Sequence, residues 1–206
     1  MNKNPSIPRA TLGRLPVYLD YLKKIVSEQK TVSATAISRA LGYGEVQVRK
    51  DLCAVSGQGK PRIGYVTEEL IDSIDAQLSG GPVCRAVIVG AGRLGGALLG
   101  YGGFSSYGLT IAAAFDENPG RFGKEKVLPM EELERFCRQN DVRIGVITVP
   151  APAAQEVCDR LVAAGIRAVW SFAPVHLTVP DGVFLREEDL ALSLAHLRVS
   201  AMADET

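Results

Sequence analysis

Between Thr11 and Ser27 the apolar residues fall at Leu12, Leu15, Tyr18, Leu19, Leu22, Ile25 and Val26, the three-and-four spacing of a helix that buries one face. A shorter helical pattern runs from a capping Ser33 to Leu41, and Gly42-Tyr43-Gly44 ends it and permits a sharp change of direction. A third helix from about Glu45 to Val55 completes a helix-turn-helix unit. Stepped around a helical wheel, Val48, Leu52 and Val55 share one side of this third helix, while Val46, Arg49, Lys50 and Cys53 point the other way. The segment SGQGKPRIGYV then offers two short segments around a basic, glycine-rich tip, and helical periodicity returns from Glu68 to Leu78. This order of elements predicts a winged helix.

Ser79-Gly80-Gly81-Pro82 breaks the pattern and marks a junction between domains. Beyond it an unbroken apolar run, Ala86 to Val89, reads as a buried parallel strand that leads directly into Gly90-Ala91-Gly92-Arg93-Leu94-Gly95 and a helix to about Tyr101. Strand and helix patterns then alternate: strand LTIAAAFD ending at Asp116, helix Met130 to Asn140, strand RIGVITVP, helix Ala153 to Ala164, strand IRAVWSFAP. A last strand and a long helix from about Glu187 to Ala201, burying Leu190, Leu194 and Leu197, close the chain. The fold class is therefore α/β: an N-terminal winged-helix domain over residues 1–80, a Rossmann domain with a parallel sheet of reduced size over 81–186, and a C-terminal helix and tail over 187–206 that packs against, or swaps with, another subunit.

Composition adds little, with 47% apolar and 22% charged residues, the values of an ordinary globular protein. Charge adds more. The net charge of zero divides into 11 basic and 4 acidic residues over 1–66 and 12 basic and 19 acidic residues over 67–206. A basic head on an acidic body points to a polyanion partner for the head. No apolar run approaches the roughly 20 residues of a membrane span, and the N-terminus has no apolar stretch of the kind a secretion signal needs, so a cytoplasmic protein is expected.

On the third helix Arg49 and Lys50 can reach guanine edges or phosphates, and Val46 can meet a thymine methyl. A solvated surface helix is the alternative for the same residues. Ser33, Val46, Gln47, Arg49 and Lys50, with Lys60 and Arg62 of the wing, form the expected contact set for double-stranded DNA.

In the second half, G-x-G-x-x-G follows a strand, opens a helix, and precedes a strand ending in Asp116, 21 residues after Gly95, the fingerprint of a dinucleotide site. Gly90 allows the tight turn, Gly92 admits the pyrophosphate, and Gly95 lets helix and strand approach; the backbone of Ala91, Arg93 and Leu94 completes the cradle at the helix N-terminus. Asp116 is expected to bind the adenine ribose and to repel a 2′-phosphate, favouring NAD(H), with Arg121 and Lys124 nearby pulling the other way. Thr148, Val149 and Pro150, with Phe172, Ala173 and Pro174, lie at C-terminal strand ends beside the second ribose and nicotinamide. A glycine turn without a ligand is the alternative.

A dehydrogenase needs a proton donor or acceptor at the nicotinamide. The chain has no Tyr-x-x-x-Lys and only His176 and His196, and at this length a separate substrate domain is not expected. A small NAD-dependent oxidoreductase with a basic appendage, and a CoA-binding subunit of the succinyl-CoA synthetase type, remain as alternatives. Cys53, Cys84, Cys137 and Cys158 have neither zinc nor disulfide spacing and read as buried thiols, so no metal is expected.

The segments IPRATLGRLPVYL, VRKDL, GKPRIGY, VGAGRLGGAL, AFDENPGRFG, ITVPAPAAQ, LVAAGIRAVWSFAP and EEDL closely resemble the bacterial redox-sensing repressor family called Rex. The resemblance implies a homodimer with exchanged C-terminal helices that binds an inverted-repeat operator when NADH is scarce and releases it when NADH occupies both Rossmann domains. It also implies a nicotinamide-sensitive network, in which Tyr101 and Asp189 match the tyrosine and the aspartate of the partner's helix. Asp20 stands where some members carry an arginine, and Leu190 where some carry an aromatic residue; Lys23 or Lys24 is a candidate substitute for that arginine.

Overall fold

In a computed structural model of the chain, residues 7–79, 83–120 and 127–203 are described. Gly80, Gly81 and Pro82 of the expected junction, and Arg121 and Lys124, lie outside them. The chain divides into two compact units, residues 1–82 and 83–206.

In the first unit the order is α1 (Arg9–Ile25), β1 (Thr31–Val32), α2 (Ala34–Leu41), α3 (Glu45–Ser56), β2 (Tyr65–Val66) and α4 (Thr67–Ser79). The spacing of Leu15, Tyr18, Leu19 and Leu22 along α1 puts all four in the core, where Ile37, Val48 and Leu52 are buried as well. The Ser33 hydroxyl caps α2 by accepting from Ala36 N at 3.1 Å, and Gly42 ends it in the left-handed region at φ 69°.

The two short segments of the wing meet only in an isolated bridge between Lys60 and Gly64 at the tip. β2 pairs antiparallel with β1, which precedes α2, rather than with the segment before the tip. The tip itself is a tight knuckle in which Lys60 N donates to Gly64 O at 2.8 Å and Gly64 N donates back to Lys60 O at 2.8 Å. Proline at position 61 has no N–H for a ladder, and a Cβ at Gly64 (φ +83°) would collide with the Val32 carbonyl. The wing is therefore compact, and strand pairing is left to the two residues Tyr65 and Val66.

The second unit runs β3 (Cys84–Val89), α5 (Arg93–Leu99), a 3-10 turn (Gly102–Tyr107), β4 (Leu109–Asp116), β5 (Val127–Pro129), a short 3-10 turn (Met130–Glu132), α6 (Leu133–Gln139), β6 (Val142–Ile147), α7 (Ala151–Ala163), β7 (Ala168–Ser171), β8 (Phe184–Glu187) and α8 (Leu190–Ala203). The sheet has six strands in the order β5-β4-β3-β6-β7-β8, all neighbouring pairs parallel. It is not reduced: this is the full six-strand order of a doubly wound dinucleotide fold. Period-two alternation sends Val87 and Val89 to the face covered by α6 and α7, and Ile88 to the opposite face beside Leu98 of α5.

The last helix is the element expected to pack against, or swap with, another subunit. Leu190, Leu194 and Leu197 are exposed, and so are Leu192, Val199 and Met202. Among the described residues of the second unit, α8 buries none of its large apolar side chains.

Candidate nucleic-acid interface and dinucleotide site

On α3, Val48, Asp51 and Leu52 face inward and Val46, Gln47, Arg49, Lys50 and Cys53 face out, as the helical wheel requires. Ser33, Arg49, Lys50, Lys60 and Arg62 line one open groove between α2, α3 and the wing. Val46 and Gln47 stand on the neighbouring outer face of α3, Val46 being 63% exposed. Arg49 is ion-paired with Glu45 one turn away, a contact that surface solvation keeps weak, so the guanidinium can exchange it for a phosphate or a base. Arg62 adopts φ 65° at the wing tip. Cys53 opens into the same groove and is exposed, and Cys84 is half-buried; only Cys137 and Cys158 are buried. The expectation of four buried thiols is thus corrected, because a short side chain on the outer face of α3 has no element above it.

Sequence reasoning missed what fixes α3. Asp51 is 3% exposed and accepts from Thr11 Oγ1 at 2.7 Å, Tyr18 OH at 2.7 Å, Arg14 Nε at 2.7 Å and Arg14 Nη2 at 2.8 Å. Burial alone would raise its pKa; the hydrogen bonds from Arg14, Thr11 and Tyr18 outweigh that and hold the carboxyl below its ordinary value. The same bonds raise Arg14, and burial followed by the bond to Asp51 raises Tyr18. All three donors come from α1, so a charge in the sequence VRKDL acts as the bolt between two helices. The available signal was the spacing of Asp51 from Val48, which puts it on the buried side.

In the second unit Gly90, Ala91, Gly92, Arg93, Leu94 and Gly95 span the turn from β3 into α5. Gly90 sits at φ +98°, where a Cβ would meet Thr148 C and O at 2.8 and 2.9 Å; a Cβ at Gly95 would collide with Gly90 O and stand 2.8 Å from Thr148 Oγ1. Gly92 alone faces open space, with nothing within 4 Å of a Cβ. That is the cradle the three glycine roles require: two positions closed by the protein and one left for a ligand. α5 ends at Leu99, two residues earlier than expected, because Gly100 follows it.

Thr148 follows β6 and locks the crevice between β3 and β6, donating from Oγ1 to Gly90 O at 2.6 Å and from N to Val89 O at 2.9 Å. This is the point where the strand order reverses, where open parallel sheets bind ligands. Val149 follows, and Pro150 precedes α7. Asp116 is half-buried, and its Oδ2 accepts from Ala91 N at 2.9 Å while Oδ1 accepts from Asn118 N at 2.9 Å. It braces the glycine turn, a role the spacing did not reveal, and each oxygen keeps a lone pair for a ribose hydroxyl. These residues fit an adenine dinucleotide.

Phe172 packs on Trp170 and Phe104 packs edge-on against both Tyr101 and Trp170; Tyr101 is 61% exposed. Asp189 immediately precedes α8. It accepts from Leu192 N at 2.8 Å, opening α8, and shares a cleft with Ala173, Pro174, His176, Glu188 and His196. His176 Nδ1 lies 2.7 Å from Glu187 Oε2, with the ring exposed. Asp20 is paired with Lys24 at 2.6 Å, and Lys23 lies 3.4 Å from Asp75 on α4, so each candidate substitute for an arginine already has a carboxylate partner. Among the described residues no group of three or more His, Cys, Asp or Glu could hold a metal ion, and no helix is long and apolar enough to cross a membrane.

Two families match by sequence: "Putative DNA-binding protein N-terminus" over residues 6–53 and "CoA binding domain" over residues 84–175. The redox-sensing transcriptional repressor Rex of Streptomyces avermitilis is 43% identical over 198 residues, covering 93% of this chain and 78% of that protein. The chain belongs to the Rex family. Among solved structures, RSP, a Rex-family repressor, superposes at TM-score 0.81 with 33% identity in its complex with beta-NAD+ and operator DNA, over 97% of this chain and 94% of that one. Its complex with beta-NADH matches equally, at TM-score 0.81 and 33% identity over 97% and 96% of the two chains. Membership of the Rex family accounts for both halves at once, whereas a CoA-binding subunit leaves the winged helix without a purpose.

Proposed function

We propose that this chain is a transcriptional repressor of Rex type, not an enzyme, whose hold on operator DNA is set by NADH. The observation that carries the reading is its likeness, along 97% of its length, to a repressor solved with NAD+ and operator DNA and, separately, with NADH. In this reading α3 enters the major groove, with Lys50, Arg49, Gln47 and Val46 toward base edges and Ser33, Lys60 and Arg62 on the backbone or in the minor groove. The open position at Gly92 takes the pyrophosphate, Asp116 the adenine ribose, and Thr148 to Pro150 and Phe172 to Pro174 flank the nicotinamide half, with Tyr101 nearby.

A repressor of an inverted repeat needs two copies, and α8 supplies the reason to form them. Fully burying a large aliphatic side chain is worth about 1.5–3 kcal/mol, so the six exposed apolar residues of α8 hold on the order of 10 kcal/mol that one chain leaves unused. A second copy of the chain, exchanging α8 and carrying Asp189 across, covers them. The family's nicotinamide network is then Tyr101 and the exchanged Asp189. As a regulator of chromosomal DNA the protein works in the cytoplasm.

Release requires that NADH favour the arrangement that does not fit the operator, since equal affinity for both arrangements shifts nothing. By linkage, operator DNA weakens NADH binding by the same factor. The test is fluorescence anisotropy on an inverted-repeat duplex at fixed salt, titrated with NADH and separately with NAD+. Release by NADH at concentrations where NAD+ leaves the complex intact is expected; equal release by both would remove redox sensing, and turnover of NADH with any 2-keto acid would reinstate the oxidoreductase.

A further inference from the structure

Arg14 has one more partner than the Asp51 pair uses. Gln47, one turn before Asp51 on α3, brings the end of its side-chain amide to 3.0 Å from Arg14 Nε, whose single proton goes to Asp51, and to 3.1 Å from Nη1, whose protons Asp51 does not use. A guanidinium only donates hydrogen bonds, so the amide must turn its oxygen inward and its NH2 outward. Arg14 is itself immobilised by two bonds to the Asp51 carboxylate, which leaves the guanidinium no freedom to follow a different amide orientation. Gln47 is exposed on the outer face of α3, beside Val46 and one turn from Lys50.

An unrestrained glutamine reads adenine with both ends of its amide, accepting from N6 and donating to N7. Gln47 has only its donor end to offer. We propose that Arg14 sets the base preference of Gln47: tethered through its oxygen, Gln47 reads an acceptor-only purine edge, guanine N7 and O6, and Arg14 is a positioning residue that never touches DNA. Adenine at the same place presents its N6 donor to the NH2 donors and is disfavoured. The inference rests on the reading above that α3 lies in the major groove.

The test uses the full-length protein and an inverted-repeat duplex selected by it from a randomised library, with guanines replaced in turn by adenine or by 7-deazaguanine, which lacks the N7 acceptor. One symmetry-related guanine pair is expected to lose about tenfold in affinity on either replacement, and Gln47→Ala is expected to be indifferent at that pair while keeping its preferences elsewhere. Arg14→Met is expected to free the amide and turn the preference at that pair toward adenine, and combined with Gln47→Ala to leave the pair indifferent, because its influence on selectivity runs through the amide. Should Arg14→Met unfold the first unit by stranding Asp51, Arg14→Met with Asp51→Asn removes both charges together and carries the same expectation. Full guanine preference in Gln47→Ala, or a loss equal for every duplex as a phosphate contact gives, would overturn the proposal. Absence of any sequence-specific binding by the wild-type protein would overturn the winged-helix reading itself, and this inference with it.

Discussion

Gly90, Gly92 and Gly95 belong to one motif, yet alanine at each should do a different thing. At Gly90, alanine must adopt φ +98°, outside the regions open to L-residues, at about 1–3 kcal/mol. Its Cβ also meets the Thr148 backbone at 2.8 Å, and overpacking of that kind adds about 1–3 kcal/mol. At Gly95 only the overpacking cost applies, because the Cβ collides with backbone that cannot swing aside. Gly92 has nothing within 4 Å and precedes α5, where exchanging glycine for alanine costs under about 1 kcal/mol. At about 4 °C per kcal/mol for a domain of this size, Gly90→Ala and Gly95→Ala should melt about 4 °C or more below wild type, and Gly92→Ala within about 4 °C of it.

NADH then separates the third variant from the other two in the same assay. At a ligand concentration of about 100 Kd the wild type gains about 2.7 kcal/mol, or about 11 °C. A Cβ in the space for the pyrophosphate should weaken binding at least tenfold, which reduces the gain to about 1.4 kcal/mol, or about 6 °C. Thermal melts by circular dichroism with and without NADH read both quantities. A Gly92→Ala protein that keeps the full NADH shift would refute the placement of the pyrophosphate at Gly92, and a Gly95→Ala protein melting with wild type would refute the crowding argument.

Asp51→Ala should cost the first unit about 2–3 kcal/mol, less than a fully buried pair because Arg14 is 22% exposed, and should weaken operator binding, as read by melts and anisotropy. Because the Asp51 pKa is lowered by folding, its contribution is present above the ordinary carboxylate value of 3.8 and is lost as pH falls through the folded value; Asp51→Asn should flatten that part of the acid limb. A thiol reagent such as DTNB should label exposed Cys53 first and block operator binding while sparing NADH binding, whereas Cys137, whose thiol burial pushes up to about 11, should react only after unfolding; Cys53→Ala should be immune. Leu194→Glu with Leu197→Glu should shift sedimentation toward a monomer, and an unaltered dimer would mean that α8 is not the interface. Lys60→Ala should weaken all duplexes alike and lower the salt slope by about 1, measured between two salt concentrations.

The helices of the first unit and the strand-turn-helix of the second were legible because their signals are local. Backbone geometry fixes a period of 3.6 or 2, and Leu15, Tyr18, Leu19 and Leu22, or Val87 to Val89, display it without reference to the rest of the chain. The spacing from Gly95 to Asp116 was legible for the same reason, since one strand-helix-strand unit has a nearly fixed length. β5, three residues ending in Pro129, was too short to show any period, and the full size of the sheet was underread with it.

Sequence by itself thus determined two units, their class, and the glycine loop with its acidic partner. Tertiary structure alone decided that Asp51 is a buried bolt rather than a surface charge, because its donors lie 33 to 40 residues away. It also decided that Asp116 braces Ala91, that the wing closes on itself while β2 pairs with β1, and that the apolar positions of α8 find no cover among the described residues of their own unit. Periodicity says that a face must be buried, but which surface covers it, and which polar groups meet across it, depends on contacts between segments that no local pattern records.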